Sequence, residues 1–161
     1  MTYEIEVRIA DPLPLAVVRR SVQPAGVALA WRPALDLVWA FIRPREGLWA
    51  GGHNVFVYHR PAIDGEPMTV EFGVQVTRTF DGNGDVQASQ TPSGRVVSTT
   101  HVGPIDRLVE AYAALDGWVA EHREVAAGIS WETYGDWTAD PAANNVELTY
   151  LLQEARDIRE G

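Results

Sequence analysis

The sequence predicts an α+β fold built from two βαββ halves that share one sheet, each half covering its strands with its own helix under pseudo-two-fold symmetry. Three observations predict it. Apolar residues alternate with a period of two in most segments and switch to helical spacing in two of them. The same order of segments returns after the turn-rich run Asp81-Gly82-Asn83-Gly84-Asp85. Residues also match at a nearly fixed offset: a shift of 76 sets Gly52 on Gly128, Tyr58 on Tyr134, Val70 on Val146 and Glu71 on Glu147. An offset of 79 sets Val17 on Val96 and Trp39 on Trp118. Two copies of a unit this size mean a symmetric pair within one chain rather than a solenoid.

In order along the chain, Thr2–Ile9 alternates with Tyr3, Ile5, Val7 and Ile9 on one side, as a half-buried strand does. Leu15–Val22 is a second apolar segment. Ala30–Phe41 reads as a helix, with Leu35, Val38, Trp39 and Ile42 at helical spacing before Pro44 and Gly47 end it. Asn54–His59 and Thr69–Phe80 are rich in Val, Phe and Tyr and read as strands joined through the turn pair Asp64-Gly65. The second half repeats this with strand Arg95–Thr100, helix Ile105–Arg123 and strands Ser130–Trp137 and Asn145–Gln153. Glu154–Gly161 reads as a charged tail. The expected organisation is therefore one domain over 1–161, with halves at about 1–82 and 83–161.

The 161 residues carry 22 acidic and 13 basic side chains, every basic one an Arg, for a formal charge of −9. That balance argues against a nucleic-acid binder, which needs a basic stripe for phosphates. Direct DNA binding is not expected, because the strand pattern starts at Tyr3 and leaves no room for a helix-turn-helix ahead of it. The absence of cysteine excludes disulfide frameworks, thiol nucleophiles and Cys zinc sites. The first 18 residues are broken by charges and prolines, so neither export nor membrane insertion is expected and a cytoplasmic location is the reading. Six Trp in so short a chain raise the prospect of an aromatic-lined pocket.

Several motifs fall short of their chemistry. Asp81-x-Asn83-x-Asp85 opens like a calcium loop but has Val86 at the sixth position and Pro92 at the twelfth. Gln87 stands where a dinucleotide fingerprint needs its third glycine. His53, His59, His101 and His122 lack metal-ligand spacing, so no metal and no cofactor are expected. His101, where a strand gives way to Gly103-Pro104, reads as a turn residue or as a proton carrier and pocket wall.

Ser130–Trp137 carries the most chemistry per residue. In a strand, Glu132, Tyr134 and Asp136 share one face, and Trp131, Thr133 and Trp137 the other. Glu132 aligns with Phe56 of the first half, and a carboxylate in place of an aromatic ring is costly when buried. It could attract a lipophilic cation among aromatic faces, act as a general acid or base, or simply be solvated on an open sheet face. Trp39, Tyr112 and Trp118 fit the inner faces of the helices. Trp49 lies in the Gly-rich loop Gly47–Gly52, where a large ring covers a pocket more readily than it fills a core.

Together these residues resemble the GyrI-like small-molecule-binding family, the fold also used as the effector-binding domain of multidrug-responsive transcription regulators. The resemblance is carried by Thr91-Pro92-Ser93-Gly94-Arg95-Val96, His101-Val102-Gly103-Pro104, Tyr112, Trp118 and Trp131-Glu132-Thr133-Tyr134, with Val38–Phe41 and Gly52–Val55 in the first half. It implies a concave antiparallel sheet of duplicated βαββ modules with an aromatic cleft between them and an acidic residue at its floor. Glu132 matches the family's strand glutamate. Ile105 departs from the pattern, since a Tyr often follows the His-x-Gly-Pro motif.

The expected function is a stand-alone binding protein that holds an aromatic or cationic lipophilic compound around Glu132. Trp39, Trp49, Tyr112, Trp131 and Tyr134 line the cleft, with His101, Asn54 and Phe56 beside them. The alternative is a hydrolase of electrophilic cyclopropane-bearing natural products, with Glu132 as general acid or base assisted by His101 or Tyr134. A second alternative is a gyrase-inhibitor-like protein. Binding is favoured over catalysis, and the oligomeric state is left open between monomer and homodimer.

Overall fold

The computed structural model describes residues 2–154. It contains strands β1 (Glu6–Ala10), β2 (Pro14–Val22), β3 (Asn54–His59), β4 (Met68–Gln75), β5 (Val86–Gln90), β6 (Gly94–Val102), β7 (Ala126–Tyr134) and β8 (Asn145–Leu152). Two helices, α1 (Val27–Ile42) and α2 (Leu108–Glu121), follow β2 and β6. The strands form one antiparallel sheet in the order β1-β6-β8-β7-β3-β4-β2-β5. Read inward from either edge, the order is equivalent: β1 corresponds to β5, β6 to β2, β8 to β4 and β7 to β3. Each leading strand pairs with the other half, β1 with β6 and β5 with β2.

This order forces the sheet to curl. β1 and β2 stand six strand spacings apart, about 29 Å in a flat sheet, yet only Asp11–Leu13 joins them, a reach of about 15 Å. The same holds for β5 and β6 across Thr91–Ser93. The two connections clasp each other: Thr91 N donates to Leu13 O at 3.0 Å and Leu13 N to Thr91 Oγ1 at 2.9 Å. Leu15, Val17, Val55, Val57, Val96 and Trp131 are buried inside the curl without any helix over them.

The opposite face carries the helices. α1 packs on β2 and β4 through Ala34, Leu35, Val38, Phe41 and Ile42. The Pro24–Ile42 segment is long and apolar enough to cross a membrane by composition, and this face of it is buried against the sheet. α2 packs on β6 and β8 through Leu108, Ala111 and Leu115. Neither helix covers the central seam of β3 and β7, which becomes the floor of a groove.

β5 lies outside every segment expected from the sequence; Val86-Gln87-Ala88-Ser89-Gln90 is a short edge strand with little β-branched character. β4 ends at Gln75 rather than Phe80: Val76 N still bonds to Pro14 O in the β2–β4 register, but Thr77 N turns away to Leu48 O, outside the ladder. α1 begins at Val27, ahead of the expected Ala30, on a 3₁₀ turn at Pro24–Gly26. The helix expected from Ile105 is a 3₁₀ turn leading into α2. β7 starts four residues before Ser130, through a bulge at Gly128 (φ 88°), and stops at Tyr134. Asp136 therefore lies beyond the strand, bonded to His53 at 3.1 Å, and Trp137 is exposed. Of the expected tail, only Glu154 falls within the described residues.

Candidate functional site

The β3–β7 register sets Phe56 directly opposite Glu132. These are the two residues that the 76-residue offset superposes, so the pseudo-dyad passes between them. Phe56 fills its side of the seam, its ring 5.0 Å from those of Phe72 and Tyr134 and 6.3 Å from Trp31. Glu132, 4% exposed, places a carboxylate where that symmetry would place another ring.

Three phenols hold the carboxylate. Tyr58 and Tyr134 donate to Oε1 at 2.7 and 2.6 Å. Tyr112, on the sheet-facing side of α2, donates to Oε2. Among the described residues Glu132 has no Arg or His partner in a salt bridge. Burial, and then the Glu132 charge, push all three tyrosines far above their ordinary pKa, so they remain neutral donors. The phenol dipoles solvate the carboxylate without cancelling its charge.

Above Glu132 lies a cavity of about 560 Å³. Its walls are Tyr58, Tyr112 and Tyr150, with Met68 of β4 and with Pro24 and Val27 at the start of α1. The β3–β4 connection adds Arg60, Asp64 and Glu66, and α2 adds Asp116. A volume of this size suits a drug-sized molecule.

Of the residues singled out from sequence, Glu132, Tyr112 and Tyr134 come together here. Phe56 and Tyr134 form the packed flank of the seam. Trp131 points into the curl, since it alternates with Glu132 along β7. Trp39 and Trp49 meet edge to face at 5.3 Å and line a separate shallow concavity with Ile42, Arg43 and Arg45. Trp49 is anchored there by its Nε1–H to Gly52 O at 2.8 Å. His101 is buried elsewhere: Nε2 donates to Pro104 O at 2.9 Å, and Nδ1 is 2.9 Å from the Tyr3 hydroxyl. Asn54 opens β3 opposite Val74 and does not line the cavity. Among the described residues no three His, Asp or Glu side chains gather as a metal site.

Tyr58, Tyr150, Met68, Arg60 and Asp116 line the cavity but were not singled out from sequence. Tyr58 was within reach, as the counterpart of Tyr134 at the 76-residue offset. Asp116 follows Tyr112 by four residues, which places both on one side of α2.

A family model described as the GyrI-like small molecule binding domain matches residues 3–153. No match is found among curated proteins. Among solved structures, the EcmrR C-terminal domain is similar with a TM-score of 0.77 at 21% identity, over 96% of this chain and 100% of that one. SAV2435 bound to tetraphenylphosphonium is similar with a TM-score of 0.71 at 10% identity, over 95% and 94% of the two chains. A hydrolase from Listeria innocua is similar with a TM-score of 0.56 at 13% identity, over 93% and 92%. These TM-scores establish a shared fold.

Proposed function

The chain belongs to the GyrI-like small-molecule-binding family, and from that premise we propose that the cavity above Glu132 binds an aromatic or lipophilic cation. The observation that carries this reading is a buried carboxylate held by three neutral phenols with no counter-charge among the described residues. A buried ion is expensive unless paired. The phenols lower that cost, and a ligand cation completes the pairing. The tyrosine faces around it add the attraction of a ring quadrupole for positive charge. Tetraphenylphosphonium on SAV2435 is a ligand of this class on the same fold.

Catalysis receives less support. Two donors engage Oε1 and one engages Oε2, so of about four acceptor positions on a carboxylate a single one is left to activate water.

Calorimetry with tetraphenylphosphonium and tetraphenylborate, nearly equal in shape and opposite in charge, tests the binding reading. Wild type is expected to bind the cation and not the anion, and Glu132→Gln to weaken the cation at least about tenfold. Equal binding of the two ions, or indifference to Glu132→Gln, overturns it. Consumption of ligand by wild type would move the assignment to an enzyme.

A further inference from the structure

The cavity holds a second carboxylate in a defined orientation. Asp116 stands one helical turn after Tyr112 on α2, and Tyr150 Oη donates to its Oδ1 at 2.8 Å. The Tyr112 and Tyr150 rings are tilted neighbours with centroids 6.3 Å apart. Adjacent phenols thus hold two carboxylates at two depths, Glu132 buried at the floor and Asp116 exposed at the mouth. Among the described residues Asp116 has no salt-bridge partner. Asp64 and Glu66 line the same cavity, and among the described residues Arg60 is the one guanidinium in its lining.

A compact monocation meets only Glu132. A rigid aromatic body with a cationic nitrogen at each end meets Glu132 with one and Asp116 with the other, along a wall made of the two tyrosine rings. We propose that Asp116, oriented by Tyr150, is a second cation contact that makes the cavity selective for elongated aromatic dications, which rests on the cavity's being a cation site. Arg60 opposes this preference, and Asp64 and Glu66 offset Arg60.

The test uses N-methyl-4-phenylpyridinium and N,N′-dimethyl-4,4′-bipyridinium, two-ring bodies of closely similar shape that differ by one charge. Calorimetry is expected to show wild type favouring the dication. Asp116→Asn should weaken the dication by about fivefold, the scale of a partly exposed charge pair, and the monocation by less than about twofold. Glu132→Gln should weaken both, and Arg60→Gln should strengthen the dication. If Glu132→Gln weakens both probes while Asp116→Asn affects neither, or both alike, the second contact is overturned and the cation site stands. If neither probe responds to Glu132→Gln, the cation site falls and the second contact with it.

Discussion

Tyr58 and Tyr134, which the 76-residue offset of the sequence superposes, donate to the same oxygen of Glu132, at 2.7 and 2.6 Å. Each lies two residues past the pseudo-dyad on its own strand, so the antiparallel pair β3 and β7 brings their hydroxyls to Oε1 from opposite directions. The symmetry of the fold thus builds a two-sided clamp, and one asymmetric residue gives the clamp something to hold.

Tyr58→Phe and Tyr134→Phe each keep the ring and remove one donor to a buried charge. Hydrogen bonds to charged groups contribute about 1.5–3 kcal/mol, and each variant is expected to lose stability on that scale in urea denaturation. Glu132→Gln in the same background should shrink both losses, since the charged acceptor is gone. Two silent tyrosine variants would contradict the clamp.

Burial is the first cause, and a neighbouring carboxylate a further one, that raise the pKa of Tyr58, Tyr112, Tyr134 and Tyr150 in the fold. A group whose pKa is raised on folding contributes stability in full below its unfolded value, about 10 for tyrosine, and loses it as pH rises toward the folded value. Stability is therefore expected to fall steeply above pH about 10. In an alkaline titration, tyrosinate absorbance from these four residues should emerge together with loss of the circular dichroism signal. Four tyrosines ionising near pH 10 in an intact fold would contradict their burial.

Gly73 lies on the inner face of β4 between Val17 and Val55. A β-carbon there would come within 2.6 Å of Val17 Cγ1 and 2.9 Å of Ala16 O, with strand backbone on one side unable to retreat. Gly73→Ala is expected to cost about 1–3 kcal/mol by overpacking. Adding Val17→Ala should recover part of the loss, which thermal denaturation of the single and double variants would show. Additive losses would place the strain elsewhere.

Among the described residues, both helices and six of the eight strands were legible from periodic or β-rich apolar segments, and β2 only as an apolar segment, because Leu15–Val18 is buried on both faces and does not alternate. β5 was not, since a short edge strand satisfies few side-chain contacts and Val86–Gln90 is mostly polar. The curl is invisible to periodicity; it follows from three-residue connections only once the strand order is known. Glu132 stood out because it breaks the alignment with Phe56, and Tyr112 and Tyr134 reach it from α2 and from β7 itself. Tyr150 and Asp116 could not be found this way, because their meeting depends on how α2 sits over β8. The abundance of Trp pointed to an aromatic pocket, but Trp131 alternates to the wrong face of β7 for this cavity, and the aromatic residues that line it are Tyr58, Tyr112 and Tyr150.

The clasp between Thr91 and Leu13 is where the two halves exchange their leading strands, and Thr91 is 2% exposed. Thr91→Val preserves shape but removes the Oγ1 that accepts from Leu13 N, leaving the reciprocal Thr91 N to Leu13 O bond in place. The expected loss is about 1 kcal/mol, the usual net value of one hydrogen bond, with faster exchange of the Leu13 amide. Thr91→Ser keeps the acceptor and loses a buried methyl, so it should be destabilised to a similar extent while the Leu13 amide stays protected. Global stability alone does not separate the two variants; amide exchange does. Equal Leu13 protection in both would mean that the shape of the connection, and not its hydrogen bond, holds the sheet in its curl.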